Sequence, residues 1–193
     1  MTNHPRKRIV LGGLAAALGL SLIAAPAYAE KVHVDDPDDG IGNVTPLDVV
    51  AVDARFGEKL ARVHVHFQDL RPTSDGGPGS VEIYIDTKPK RKGPEFRIVT
   101  GLQEGTDYQL TRMRDWKPVG EPSTCTHKVR LDFENDVVHA AFGKDCIRYP
   151  KKLRVGVKMT DLWDGSHPVT DWLVKPRFWT EFLASGPTPQ AGV

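Results

Sequence analysis

The sequence predicts an all-β fold: an antiparallel β-sandwich, jelly-roll-like, with about nine short strands. Three observations lead there. Several segments alternate apolar and polar residues with the period of two that puts one strand face in the core and the other in water. Turn residues separate those segments about every dozen positions. Beyond the N-terminal segment, no stretch of ten or more residues carries a helical face, so little or no helix is expected. A closed barrel is the alternative arrangement.

Residues 1–29 read as a cleavable signal peptide. Arg6, Lys7 and Arg8 form a positive start, Ile9 to Ala25 is a charge-free run of 17 residues, and Ala27-Tyr28-Ala29 places cleavage between Ala29 and Glu30. The run is short for a membrane span, so a secreted protein with no stable span after cleavage is expected. The 193 residues carry 26 Lys and Arg against 25 Asp and Glu. Without residues 1–29, which hold three basic residues and no acidic one, the remaining 164 have 23 basic and 25 acidic residues, a net charge of −2. That balance offers no electrostatic footprint for nucleic acid.

Residues 30–45 are acidic and Gly-containing, an extended N-terminal arm or edge segment, and residues 46–186 form one domain. Leu47 to Asp53 is the first, weaker strand candidate. In Leu60 to Phe67, Val63, Val65 and Phe67 face one side, and Arg62, His64 and His66 the other. Val81, Ile83 and Ile85 oppose Glu82, Tyr84 and Asp86. Phe96 to Leu102 and Tyr108 to Arg114 are shorter candidates, and the breakers Gly76-Gly77-Pro78-Gly79 and Lys92-Gly93-Pro94 separate strands. Val129, Leu131 and Phe133 alternate with Lys128, Arg130 and Asp132; a turn at Glu134-Asn135-Asp136 then leads into Val137 to Phe142. Leu153, Val155, Val157 and Met159 alternate with charged residues and Gly156, and Phe178 to Leu183 is the last candidate. Residues 187–193, with Pro187 and Pro189, read as a flexible tail.

The two cysteines allow one bridge, Cys125–Cys146, in an oxidising compartment. Cys125 precedes the Val129–Phe133 strand and Cys146 follows the Val137–Phe142 strand, so a hairpin about Asn135 would bring them together at its open end. Closing such a loop contributes about 3 kcal/mol.

Several short signatures occur in order: Pro46-Leu47-Asp48-Val49, Phe67-Gln68-Asp69-Leu70, Tyr84-Ile85-Asp86-Thr87, Cys146-Ile147-Arg148-Tyr149-Pro150 and Asp171-Trp172. In that order the chain resembles a group of uncharacterised secreted bacterial β-sandwich proteins with one cysteine pair. Its architecture is similar to that of DOMON and family-9 carbohydrate-binding-module domains. The resemblance implies a sandwich that binds sugar or haem, and it transfers no site residue.

His64 and His66, at i and i+2 on one strand, point to the same face and could chelate zinc if His33, His127, His139 or His167 supplied a third ligand. The plainer reading is two histidines on a polar strand face. Asp35, Asp36, Asp38 and Asp39 beside Gly40 suggest calcium. Pro37 breaks the EF-hand template, so any site would borrow carboxylates such as Asp161, Asp164 or Asp171; otherwise the run is a solvated acidic segment. Lys88, Lys90, Arg91 and Lys92 form a cationic loop tip suited to an anionic polymer or simply to solvent. Tyr84, Trp116, Trp163 and Trp172 are the candidate ligand-binding rings, since exposed rings stack on sugar faces, although large aromatics more often anchor a core or loop. Trp179 falls in the last strand candidate.

The motifs G-x-S-x-G, H-E-x-x-H, Walker A and G-x-G-x-x-G are all missing, and no catalytic residue is predicted. The expectation is a secreted, non-catalytic binding or surface-interaction module for carbohydrate, a cell-envelope polymer or a secreted partner. No cofactor is predicted; zinc and calcium are the metals weighed. The alternatives are a metal protein using His64 and His66, and a haem sandwich using a histidine with Met113 or Met159.

Overall fold

The structure, a computed structural model, describes residues 29–73, 77–162 and 167–187. The expected signal-peptide cleavage site is thus described only from Ala29 onward, and Trp163, Asp164 and the tail from 188 lie outside the described residues.

Two antiparallel sheets pack face to face, as the alternation requires. The five-stranded sheet runs β1 (Glu30–Asp35), β2 (Val49–Phe56), β3 (Leu60–Phe67), β9 (Val137–Gly143), β8 (His127–Asp132). The seven-stranded sheet runs β11 (Val169–Trp172), β10 (Lys152–Asp161), β4 (Gly79–Asp86), β5 (Phe96–Gly101), β6 (Tyr108–Arg114), β7 (Lys117–Val119), with β12 (Leu183–Ala184) also on β10. Among the described residues there is no α-helix, only a 3-10 turn at Ile41–Asn43. Val63, Val65, Ile83, Ile85, Ile98, Val155 and Val157 are fully buried where the two inner faces meet.

Two differences from the sequence reading have local causes. Among the described residues there are twelve strands rather than about nine, because the segment before Asp36 and three short pairings add to the count. Of the two readings of the 30–45 segment, its start takes the edge one, a strand in full register with β2 from Glu30 opposite Phe56 to Asp35 opposite Ala51. Phe178 to Leu183 is not a strand. β11 leaves the β10 edge after Leu173, whose N–H reaches Val157 O at 3.2 Å. Residues 174–179 then loop over the outer sheet face, and the chain rejoins the edge at Thr180, whose Oγ1 accepts the Val155 N–H at 3.0 Å.

Cys125 and Cys146 form the disulfide, with Cα atoms 5.4 Å apart. It closes the open end of the β8–β9 hairpin, where His127 lies opposite Phe142.

Candidate functional site

Three features concentrate polar and aromatic chemistry, and the sandwich positions each differently.

The first covers the outer face of the seven-stranded sheet. Tyr84 points outward from β4, opposite Gly156 on β10 and Arg97 on β5. Trp172, at the end of β11, stacks on Tyr84 with ring centroids 5.7 Å apart and planes 12° apart. Trp116 meets Tyr84 edge-on at 5.1 Å and Trp179 at 5.6 Å. Trp116 occupies the two-residue β6–β7 turn with Asp115, and both have positive φ, as a type I′ turn demands. The turn reverses the chain there, and the ring packs back over the sheet against Tyr84, Trp172 and Trp179. Glycines open the space: a Cβ on Gly93 would stand 2.8 Å from Trp116 Nε1, and one on Gly156 would stand 2.7 Å from the Phe178 carbonyl.

Cations complete this surface. Arg177 lies over the Trp116 ring at 5.0 Å, and Arg154 over Trp179 at 5.1 Å and Phe182 at 4.6 Å. The Tyr84 hydroxyl donates to Glu82 at 2.8 Å, and Glu82 also pairs with Arg97 and Lys158. Covered by these neighbours, Tyr84 is only 6% exposed, while the tryptophans are half-buried. Of the four expected rings, Tyr84, Trp116 and Trp172 come together. Trp179, read as part of a strand, joins them from the 174–179 loop.

The second feature adjoins the first. A cavity of about 390 Å³ opens at the end of the sheet. Lys88 and Arg91 line it from the β4–β5 loop, Arg112 and Arg114 from β6, and Arg148 and Lys151 from the approach to β10. Lys152 also lines it and lies 4.5 Å over the Phe182 ring, which Arg154 shares with Trp179, so a chain of cation–ring contacts links the cavity to the aromatic surface. The one carboxylate in the lining is Glu95, only 7% exposed. Burial pushes the Glu95 pKa up, and Asp86 adds to the effect, while Thr87 donates to its carboxylate and Arg91 lies 3.9 Å from it. Lys90 and Lys92 of the cationic loop are not in the lining. Arg112, Arg114 and Arg148 gave no sequence signal, since single arginines in a weak strand and a loop are of the kind that usually meet only solvent.

The third feature is the outer face of the five-stranded sheet. Register places His33, Asp53, His64 and His139 in one row across four strands. Asp53 holds His33 Nδ1 at 2.9 Å and His66 Nε2 at 2.8 Å. Those bonds, with a second from Asp35, raise the His33 pKa and lower that of Asp53. His64 instead meets His139 edge-on at 4.6 Å, and burial followed by the His139 charge lowers its pKa. His64 and His66 therefore have different partners: His66 is engaged by a carboxylate and His64 by a ring. Among the described residues, the set of three ligand atoms within 4.8 Å of one another is Cys125, His127 and Cys146, whose sulfurs are joined in the disulfide. Of the methionines weighed for haem, Met159 is fully buried in the core and Met113 lines the cationic cavity.

The acidic segment gathers carboxylates from distant positions. Burial raises Asp36 to about 7 and Asp48 to about 6, with Asp171 and Asp39 acting on both. Asp171 is 1% exposed and accepts the Val49 N–H at 2.8 Å. Asp161, the other described partner weighed for this segment, instead accepts the Thr45 hydroxyl.

No protein-family model, curated protein or solved structure matches the chain.

Proposed function

We propose that the protein is exported and acts as a non-catalytic binding module for an anionic cell-envelope polymer, a sugar- or polyol-phosphate chain. The observation that carries this reading is the excess of seven cations over one buried carboxylate around a single cavity, at the end of an aromatic surface. A flexible polyanion is attracted by such a cluster through summed charge rather than one contact. Guanidinium groups suit phosphate because their donors form a planar fork. The rings of Trp172, Trp116 and Trp179 offer apolar faces to sugar units between the charges. The disulfide fits the extracellular setting.

The test is equilibrium binding of the processed chain to a phosphate-bearing wall polymer and to a neutral glucan of similar length. Preference for the anionic polymer, weakened by high salt and by the pair Arg112→Glu and Arg148→Glu, is expected. Equal binding of the neutral glucan would replace the anionic reading with a plain sugar platform. No binding to either would overturn both.

A further inference from the structure

We propose that Lys31, Arg55 and Arg62 bind one hydrogen phosphate ion on the outer face of the five-stranded sheet, with Asp53 accepting its O–H. Register sets the three cations in one row: Lys31 on β1 lies opposite Arg55 on β2, and Arg55 opposite Arg62 on β3. The residues beside the two arginines, Ala54, Phe56, Ala61 and Val63, are buried in the core, so the arginines leave the sheet on its outer side. Residues directly opposite have Cβ atoms about 4.5–5.5 Å apart, and like charges so placed destabilise a sheet. The next position in the row, Ala141 on β9, brings no carboxylate. Among the described residues none of the three cations has an ion-pair partner, and the Arg55 Nε is buried without a hydrogen bond.

All three cations line one cavity of about 360 Å³, together with His33, Asp53 and His64 of the adjacent row. Neighbouring strands are about 4.8 Å apart, so side chains from three of them can reach separate oxygens of one tetrahedral ion. Charge-assisted bonds of this kind are the strong ones, and guanidinium groups form them in pairs. A turn of the half-buried Arg55 side chain that brings its Nε edge to the cavity gives that unmet donor an anion oxygen.

Asp53 selects the anion. It is the one carboxylate in the lining, and its two oxygens are held by His33 at 2.9 Å and His66 at 2.8 Å. Burial acts to raise its pKa, but the two histidine bonds outweigh it and lower the value. Asp53 therefore stays ionised, accepts hydrogen bonds and donates none, and its oxygens keep lone pairs for a further donor. Hydrogen phosphate offers one O–H, whereas sulfate and a phosphodiester offer none. Three cations against one carboxylate leave two positive charges, which match the two negative charges of that ion. This inference is independent of the polymer reading, whose cavity shares no lining residue with this one.

The experiment is an amide NMR titration of the processed chain with inorganic phosphate, and separately with sulfate, in mildly alkaline buffer at fixed ionic strength. Saturable shifts at residues 31–33, 53–55 and 62–64 are expected, with phosphate bound at least about tenfold more tightly than sulfate. Arg62 is exposed, so Arg62→Gln is the deciding variant. It is expected to keep the native spectrum and to weaken phosphate binding at least about tenfold. Because it removes a like charge from the row, it is also expected not to lower the Tm measured without phosphate. The absence of saturable shifts, or shifts confined to the surroundings of Arg112 and Arg148, would overturn the site. Undiminished binding in Arg62→Gln would overturn its assignment, and equal binding of sulfate would overturn the role of Asp53.

Discussion

Gly156 shows how much a missing side chain can position. It faces Tyr84 across the β4–β10 ladder, and the Phe178 carbonyl and Trp179 ring lie where its Cβ would be. Gly156→Ala is expected to lift the 174–179 loop, destabilising the fold by about 1–3 kcal/mol and red-shifting tryptophan emission. A denaturant titration followed by fluorescence checks both, and unchanged values would mean that the loop is not seated on Gly156. His33 makes a different kind of prediction. Bonds to Asp53, and then Asp35, raise its pKa above the ordinary 6.5. The stabilisation this pair gives is therefore full below that value and is lost as pH rises through the higher folded-state value. Because His33 and Asp53 are about half exposed, the energy is small, and the direct readout is an NMR titration. Asp53→Asn is expected to move the His33 pKa down toward 6.5; an unchanged midpoint would contradict the pairing. The polar face of Glu82, Tyr84 and Asp86 was legible as a face. That two of the three are buried was not, because their covering comes from distant elements, Trp116 and Trp172 over Tyr84 and Arg154 on Asp86.

At the scale of elements, the β8–β9 hairpin was the most legible part. Two alternating runs, a short polar turn and flanking cysteines each point to the same pairing, and register and disulfide follow them. β8 is an edge strand held on one side, whereas β9 also pairs with β3. The double variant Cys125→Ser/Cys146→Ser is expected to lower stability by about 3 kcal/mol, with faster amide exchange concentrated in β8. Exchange that rises equally in β9 would argue against the staple acting on the hairpin end. The β11–β12 region was the least legible. Its apolar density around Phe178, Trp179 and Phe182 imitates a strand, but the positive φ values of Val174 and Arg177 turn the chain away from the β10 edge and back. Propensity describes the composition of such a stretch, and tertiary packing decides its path.

For the whole molecule, period-two alternation was sufficient to give two sheets around one core, because each strand must bury one face and wet the other. The candidate site was legible only in parts. Tyr84, Trp116 and Trp172 stood out as rings, but the cavity beside them is built by Arg112, Arg148 and Lys152, which share no local pattern. Their convergence depends on the end of β6, the start of β10 and the segment between β9 and β10 meeting at one end of the sandwich. The central claim is that the linked cationic cavity and aromatic surface take an anionic envelope polymer. The most direct test is an amide hydrogen-exchange footprint of the processed chain with and without a phosphate-bearing wall polymer. Protection is predicted in residues 88–91, 112–119, 148–154 and 172–182. Protection confined to the outer face of the five-stranded sheet, around His33, Asp53 and His64, would contradict the claim.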